Sequence, residues 1–200
     1  MTRSILAAVA LLVATPLHAA ALVDGVLLVA SPELRDPNFS RTVVLVLRHD
    51  DSGTLGVVIN RQTSLAPGTV FPELTENLGT YAGTLYRGGP VDAARVLFLV
   101  RGLAAAVVNG PELVDKVFLS TDADALPDIV RLAEGPANLR LFAGHAAWGA
   151  GQLEGEIRAG GWTVVAGTQD LVFSADPPSL WTELSTAAGS GNVVAAARPQ

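Results

Sequence analysis

The sequence predicts a single domain of the α+β (mixed α/β) class, and three observations support that class. Half of its 200 residues are hydrophobic and only 16% are charged, so the chain can bury a sizeable core. Apolar runs of strand length dominate the first half, and helical spacing alternates with strands only later. No internal repeat or long linker divides a chain of this length. Strands dominate the first half of the chain, and helices alternate with strands only in the second half. This order favours the α+β class over a regular doubly wound sheet.

The first 21 residues have the three parts of a secretion signal. Arg3 is the basic start, an apolar run covers Ile5 to Ala14, and the small residues Ala19–Ala21 suit a signal peptidase. The apolar run is shorter than the roughly 20 residues that span a bilayer. We therefore expect residues 1–21 to be a cleavable signal peptide. The mature chain would be periplasmic or secreted, with no transmembrane segment and with its domain over residues 22–188.

Two alternatives at the N-terminus stay open. The apolar run could form a buried first strand or helix. A true start near Leu22 or Val23 would instead give a cytoplasmic protein, because the strand pattern begins there. At the other end, residues 189–200 are rich in glycine and alanine, and we expect them to form a flexible tail.

Charge and cysteine content argue against several classes of function. The formal net charge is −6, and the single lysine, Lys116, follows Asp115. Nucleic-acid binding depends on Lys and Arg that neutralise phosphates, so we do not expect this chain to bind DNA directly. The sequence contains no cysteine, which excludes disulfides, thiolate metal sites and a cysteine nucleophile.

The first elements are predicted to be strands joined by turns. Val26–Ala30 and Thr42–Leu47 are nearly unbroken apolar runs, which is typical of strands covered on both faces. The segment between them, Ser31 to Phe39, has two prolines and turn formers and indicates a loop. The turn Asp50–Gly53 before Leu55–Asn60 predicts a β-hairpin. Five further strands are predicted at Val96–Val100, Lys116–Leu119, Leu139–Ala143, Thr163–Val165 and Leu171–Phe173.

Three helices are predicted in the later part of the chain. The first has one apolar face at helical spacing, made by Leu126, Ile129, Val130 and Ala133. Thr121 is its expected N-cap and Gly135 its stop. The second helix buries Leu153 and Ile157 and carries Glu154 and Arg158 at the spacing of an ion pair. The third opens at two prolines and buries three apolar residues, Leu180, Trp181 and Leu184.

The sequence contains none of the catalytic motifs considered below. Beyond the predicted signal, only His49 and His145 remain as histidines, and no G-x-S-x-G motif accompanies them. No H-E-x-x-H or comparable spacing is present, so we expect neither a metal nor a cofactor. The ordinary interpretation of Asp50 and Asp51 is a solvated turn, and that of His49 is a hydrogen-bonded edge histidine. An enzyme would have to use His49 or His145 as its general base.

Two glycine-rich segments are the best candidates for a ligand site. Backbone N–H groups and a guanidinium in Arg87–Pro90 could hold an anion, although a tight turn explains the same residues. Gly144–Glu154 is predicted to be a strand end, a loop and a helix N-terminus, and structural packing of its tryptophan is the alternative. The candidate ligand-binding residues are His49, Asn60, Arg87, Gly88, Gly89, His145, Trp148 and Gln152.

Taken in order, these segments resemble the YqgE/AlgH family. The matching segments are Ala30–Phe39 with Thr42–Val44, the hairpin His49–Asn60, the turn Arg87–Val91, and Gly144–Glu156 followed by Trp162. The match runs from about Val26 to about Leu184. The resemblance implies a single domain with a strongly curved, partly barrel-like sheet flanked by helices. It implies no established biochemical activity, and nothing here resembles the helix-turn-helix expected of members described as transcriptional regulators of alginate production.

This chain departs from the family in three ways. His145 and Ala147 stand where the family motif usually has tyrosine and glycine. A signal peptide is unusual for the family, and the sequence after Leu184 is shortened or diverged. We predict a non-enzymatic binding or regulatory module for a small anionic ligand or a protein partner. A small exported hydrolase is the second hypothesis, and a transcriptional regulator is the third.

Overall fold

The computed structural model describes residues 22–189. The predicted signal peptide and residues 190–200 of the predicted tail lie outside this range. The strands are β1 (Leu27–Ala30), β2 (Val43–Asp50), β3 (Gly53–Val58), β4 (Leu85–Arg87), β5 (Val91–Arg101), β6 (Glu112–Val114), β7 (Val117–Ser120), β8 (Leu139–Gly149) and β9 (Trp162–Val165). The helices are α1 (Pro67–Val70), α2 (Thr75–Leu78), α3 (Ala105–Val108), α4 (Leu126–Ala133), α5 (Gln152–Arg158), α6 (Gln169–Val172) and α7 (Leu180–Gly189). None of these helices is long and apolar enough to cross a membrane.

The strands form one large sheet, which confirms the mixed α/β class. Their order is β6-β7-β5-β8-β3-β2-β1-β9, and β4 pairs with β8 off this path. All pairings are antiparallel except that of β4 with β8. The ends of the path, β6 and β9, do not pair with each other, so the sheet is open and not a closed barrel.

The sheet is nevertheless strongly curled. Leu113 of β6 and Val165 of β9 belong to one buried cluster, although they lie at opposite ends of the sheet. Gly25 lies against the β6 backbone, where an added Cβ would be 2.3 Å from the carbonyl oxygen of Leu113. Bulges in β2 and β5 interrupt the register of pairing. Such bulges bend strands, and the two ends of the sheet approach each other across the concave core.

Both faces of the central strands are buried, as the sequence predicts. Alternate residues of β1 belong to different cores: Leu27 lies in the concave cluster and Leu28 in an outer cluster. Helix α5 and the loop after β1 cover that outer cluster. A third cluster packs the helices α1 to α4 on the outer side of β5 and β8. Every residue of β1 is therefore buried.

One predicted strand is wrong. Leu171 and Val172 lie in α6, and Phe173 is its C-cap. The Thr168 Oγ1 caps the helix by accepting a hydrogen bond from the N–H of Leu171 at 3.3 Å. A short apolar run does not distinguish a strand from a buried helical turn by its periodicity. The capping threonine was the local signal for a helix.

Three other expectations need correction. Strand β8 does not end at Ala143 but continues to Gly149, because its second half pairs with β3. Helix α4 starts at Leu126 with Ala125 as its N-cap, so Thr121 does not cap it. Arg158 forms no ion pair with Glu154, whose Oε1 instead lies 3.8 Å from the Nε2 of His49.

Candidate functional site

Both the oxygen and the nitrogen of the buried Asn60 side-chain amide form hydrogen bonds with the backbone. Its Oδ1 accepts the N–H of Val43 at 2.9 Å, and its Nδ2 donates to the carbonyl of Arg41 at 3.0 Å. Arg41 has a left-handed backbone with a φ of 57°. Asn60 therefore stabilises the strained turn that leads into β2, and its amide is already hydrogen-bonded within the chain.

Arg87 lies at the exposed end of β4, beside the loop that precedes β2. Its N–H donates to the carbonyl of Arg61 at 2.9 Å. The Arg61 guanidinium in turn donates to the carbonyls of Pro37, Asn38 and Ser40. Burial lowers the pKa of Arg61, and the nearby charge of Arg87 lowers it further. The Arg61 side chain therefore holds the proline-rich loop in place.

Gly88 and Gly89 let two backbone segments approach very closely. A Cβ added to Gly88 would be 2.2 Å from the carbonyl oxygen of Gly144, and one added to Gly89 would be 2.2 Å from that of His145. The N–H of Gly88 donates to Ala143 at 2.8 Å, and its carbonyl accepts the N–H of Val58 at 2.7 Å. Neither glycine has a positive φ. Close approach to β8, rather than a left-handed turn, requires glycine at both positions.

Trp148 is packed in an aromatic cluster on the outer face of the sheet. Its ring stacks on Phe39 with a centroid distance of 5.5 Å and meets Trp162 edge-on at 5.8 Å. The Oε2 of Glu156 accepts the indole N–H groups of Trp148 and Trp162, at 3.1 and 2.8 Å. Gln152 completes the network, donating to the Oε1 of Glu156 at 3.0 Å. Glu156 was missed as a key residue, although its i, i+4 spacing from Gln152 on α5 was visible in the sequence.

The two histidines lie on opposite faces of the sheet. The Nδ1 of His49 is 2.8 Å from the Oγ1 of Thr54, and its Nε2 faces Glu154 of α5 on the outer side. His145 faces the concave side, because it alternates along β8 with the outward Ala146. They cannot act on one substrate atom in this structure. No group of three His, Asp or Glu side chains in residues 22–189 is arranged to hold a metal ion.

His145 lines a cleft of about 390 Å³ between β2–β3 and β5–β7. We call this the β2–β5 cleft, and its lining residues are Asp24, Leu47, Arg48, Leu55, Arg95, Leu97, Pro111, Leu119, Thr121 and His145. Sequence reasoning found only His145 among them. Ligand sites are commonly concave and mostly apolar with a few placed polar groups. The β2–β5 cleft has that composition.

The cleft carries more positive than negative charge. Arg48 has an internal partner, since its Nε lies 3.1 Å from the Oδ2 of Asp50. Arg95, on the exposed half of β5, forms no ion pair with any residue in the range 22–189. The one carboxylate of the lining, Asp24, accepts the N–H of His49 at 2.7 Å. The free guanidinium of Arg95 is therefore available to an anion.

His145 adds a polar group without a partner. Its Nδ1 is buried and has no hydrogen-bond partner among residues 22–189. Burial lowers the pKa of His145, and the charge of Arg95 lowers it further, while Asp92 acts in the opposite direction. The lowered pKa favours the neutral form of the ring. Buried polar atoms in folded proteins are usually hydrogen-bonded, so this nitrogen marks the β2–β5 cleft as a candidate ligand site.

The lowered pKa of His145 predicts a pH-dependent stability. The unfolded chain binds the proton more tightly than the folded one, so stability is lost as pH falls below the ordinary value of 6.5. We expect a histidine ring titration followed by NMR to give a midpoint below 6.5 for His145. In Arg95→Gln the midpoint should rise, because one repelling charge is gone. A wild-type midpoint at or above 6.5 would contradict the burial of this ring.

A model of the AlgH-like family matches residues 27–191. Among curated relatives, the UPF0301 protein of Streptomyces avermitilis is 41% identical over 170 residues, covering 80% of this chain and 83% of that protein. The UPF0301 protein of Thermobifida fusca is 40% identical over 175 residues, with coverages of 80% and 84%. None of these names describes a reaction.

Two solved structures share the fold. A crystal structure of a Corynebacterium diphtheriae protein has a TM-score of 0.70 and 30% identity, covering 84% of this chain and 87% of that one. The solution structure of the AlgH protein from Pseudomonas aeruginosa has a TM-score of 0.64 and 28% identity, with coverages of 88% and 94%. Sequence and structure thus agree over most of the described domain, and the chain belongs to the YqgE/AlgH family.

Proposed function

We propose that this protein is a non-enzymatic binding module that takes a small anionic ligand in the β2–β5 cleft. One observation carries the proposal: within the described residues 22–189, the Arg95 guanidinium has no ion pair and the Nδ1 of His145 has no hydrogen-bond partner, and both groups meet at the same apolar cleft. Charge-assisted hydrogen bonds from arginine to an anion are among the strongest that proteins make. A bound anion would satisfy both groups together.

The arrangement gives less support to a hydrolase. Thr121 supplies the only side-chain hydroxyl among the lining residues of the cleft, and it is exposed. His145 is neutral and could accept a proton, but no carboxylate contacts its Nδ1 to orient the ring as in a catalytic triad. His49 is on the other face, against Glu154. Binding without chemical change is the function that this geometry favours.

We also propose that the module works outside the cytoplasm, since residues 1–21 have the composition of a secretion signal. Intact-mass measurement of the protein from fractionated cells tests this. A periplasmic species that lacks about 19–21 residues would support export and direct the search to envelope ligands. A cytoplasmic species would overturn it and make intracellular regulation the leading hypothesis.

We expect Arg95→Gln to weaken anion binding by about tenfold or more, the range for losing one charge-assisted hydrogen bond. The measurement is an NMR titration of the His145 ring with acetate, benzoate, succinate and inorganic phosphate. Arg87→Gln is the matched control, because Arg87 is also exposed but does not line the cleft. If none of the four anions moves the His145 resonances of the wild-type protein, the proposed function is overturned.

A further inference from the structure

We infer that the ligand of the β2–β5 cleft is an amphipathic monocarboxylate, with one carboxylate on an aliphatic body. This inference rests on the proposed function and specifies the chemical class of its ligand. Three features of the cleft support it: the composition of its wall, the balance of charge at its rim, and its size. Each of these restricts a different property of the ligand.

The apolar wall of the cleft favours a ligand with an apolar body. Four strands contribute leucines that converge on the cleft, and a proline extends the same surface; these are Leu47 of β2, Leu55 of β3, Leu97 of β5, Leu119 of β7 and Pro111. Leu47 and Leu97 are buried and anchored in the concave core, while Leu55 and Leu119 pack on it from its edge. A ligand that was only a charged headgroup would leave this wall in contact with water. An aliphatic chain would remove it from water, which is favourable in proportion to the area covered.

The charged groups around the cleft favour a ligand with one negative charge over a ligand with two. Arg95 has no ion pair in the described part of the chain and His145 is beside it, so one carboxylate can receive hydrogen bonds from both. Arg48 is already engaged by Asp50. Asp24 lines the same cleft, and a second negative group on the ligand would meet its carboxylate. Like charges at close range in a partly desolvated site repel strongly.

The size of the cleft restricts the length of the body. About 390 Å³ is near the lower end of the volumes of ligand pockets. It holds roughly a dozen non-hydrogen atoms, taking about 30 Å³ for each water-sized group. A straight-chain acid of about eight to ten carbons meets this limit.

Binding should also take up a proton. The charged groups around His145 are Arg95, Asp92, Arg48 and Asp24. A carboxylate placed next to the ring adds a negative charge to this set and favours the imidazolium, whose two N–H groups both donate. We therefore expect the affinity to increase as pH is lowered from 8 to about 6, the window in which an imidazolium can form.

The experiment is a calorimetric and NMR titration of the protein with butanoate, hexanoate and octanoate. Affinity should rise about three- to fourfold per methylene. Octanol has the same body without charge, and octanedioate has a second carboxylate; each should bind at least about tenfold more weakly than octanoate. Arg95→Gln should abolish the preference for octanoate over octanol, and Arg87→Gln should leave it intact.

Each other result overturns a specific part of the inference. Equal affinity for octanoate and octanol would show that the cleft selects no charge. Octanedioate or inorganic phosphate binding as tightly as octanoate would refute the monocarboxylate class while leaving anion binding in place. If chain length has no effect, the apolar wall does not contact the ligand. No response to any of these compounds would refute both the ligand class and the proposed function.

Discussion

Gly89→Ala is expected to lower the free energy of unfolding by about 3 kcal/mol or more, the upper range for overpacking. The added methyl group would lie 2.2 Å from the carbonyl carbon and oxygen of His145 and 2.5 Å from the nitrogen of Ala146. These are backbone atoms of β8, which pairs with β3, β4 and β5 and cannot move without disturbing all three. Chemical denaturation followed by circular dichroism measures the change.

Gly149→Ala is the matched control for this substitution. Gly149 is at the end of the same strand β8, has no positive φ, and would place its methyl group no closer than 3.9 Å to another side chain. We expect its free energy of unfolding to change by less than about 0.5 kcal/mol, as for most surface changes. Stability of Gly89→Ala equal to that of Gly149→Ala would contradict close approach. In that case an anion-binding loop would again be the better explanation for glycine at positions 88 and 89.

Glu156→Leu is expected to lower the free energy of unfolding by about 2–6 kcal/mol, because two indole N–H groups lose their acceptor at about 1–3 kcal/mol each. Trp148 and Trp162 are each 4% exposed, so water cannot replace the carboxylate without opening the cluster. Glu156→Gln should be milder, because the amide oxygen can still accept one or both hydrogen bonds. Denaturation midpoints of the two variants give this ranking.

The indole N–H resonances give a second, local measurement of the same prediction. Those of Trp148 and Trp162 should shift in Glu156→Leu, while that of Trp181, which donates to the carbonyl of Ala30 at 2.8 Å, should stay in place. Glu154→Gln is the control on the same helix, since the nearest ion-pairing group to Glu154 within residues 22–189 is the Nε2 of His49, 3.8 Å away. Unchanged stability in Glu156→Leu would mean that the carboxylate does not hold the aromatic cluster together.

The aromatic cluster and the glycine pair explain much of the sequence resemblance by packing. Phe39 of the proline-rich loop, Trp148 and Trp162 meet around Glu156, although they are far apart in the chain. Gly89 allows the turn after β4 to lie on β8. These motif residues build the frame of the sheet. The β2–β5 cleft lies on the opposite, concave face, and Leu55 and His145 are the residues of the matching segments that line it.

Local pattern was enough to predict the fold class and most of its elements. The apolar runs at β1 and β2 specify strands buried on both faces, and the turn at Asp50 to Gly53 specifies a hairpin. Helical periodicity located α4. These properties depend on residues close in sequence. The prediction failed at Leu171–Phe173, where a run of three apolar residues is compatible with either element.

The candidate site was decided by the tertiary structure. Asp24, Arg95 and His145 come from different strands or loops and meet only because the sheet curls and its bulges redirect β2 and β5. No spacing in the chain encodes that meeting. The separation of His49 from His145 likewise follows from the pleat, which sends alternate residues of a strand to opposite faces of the sheet. The sequence by itself therefore determined the family and the architecture, whereas the long-range pairing of strands decided which side chains share a cleft.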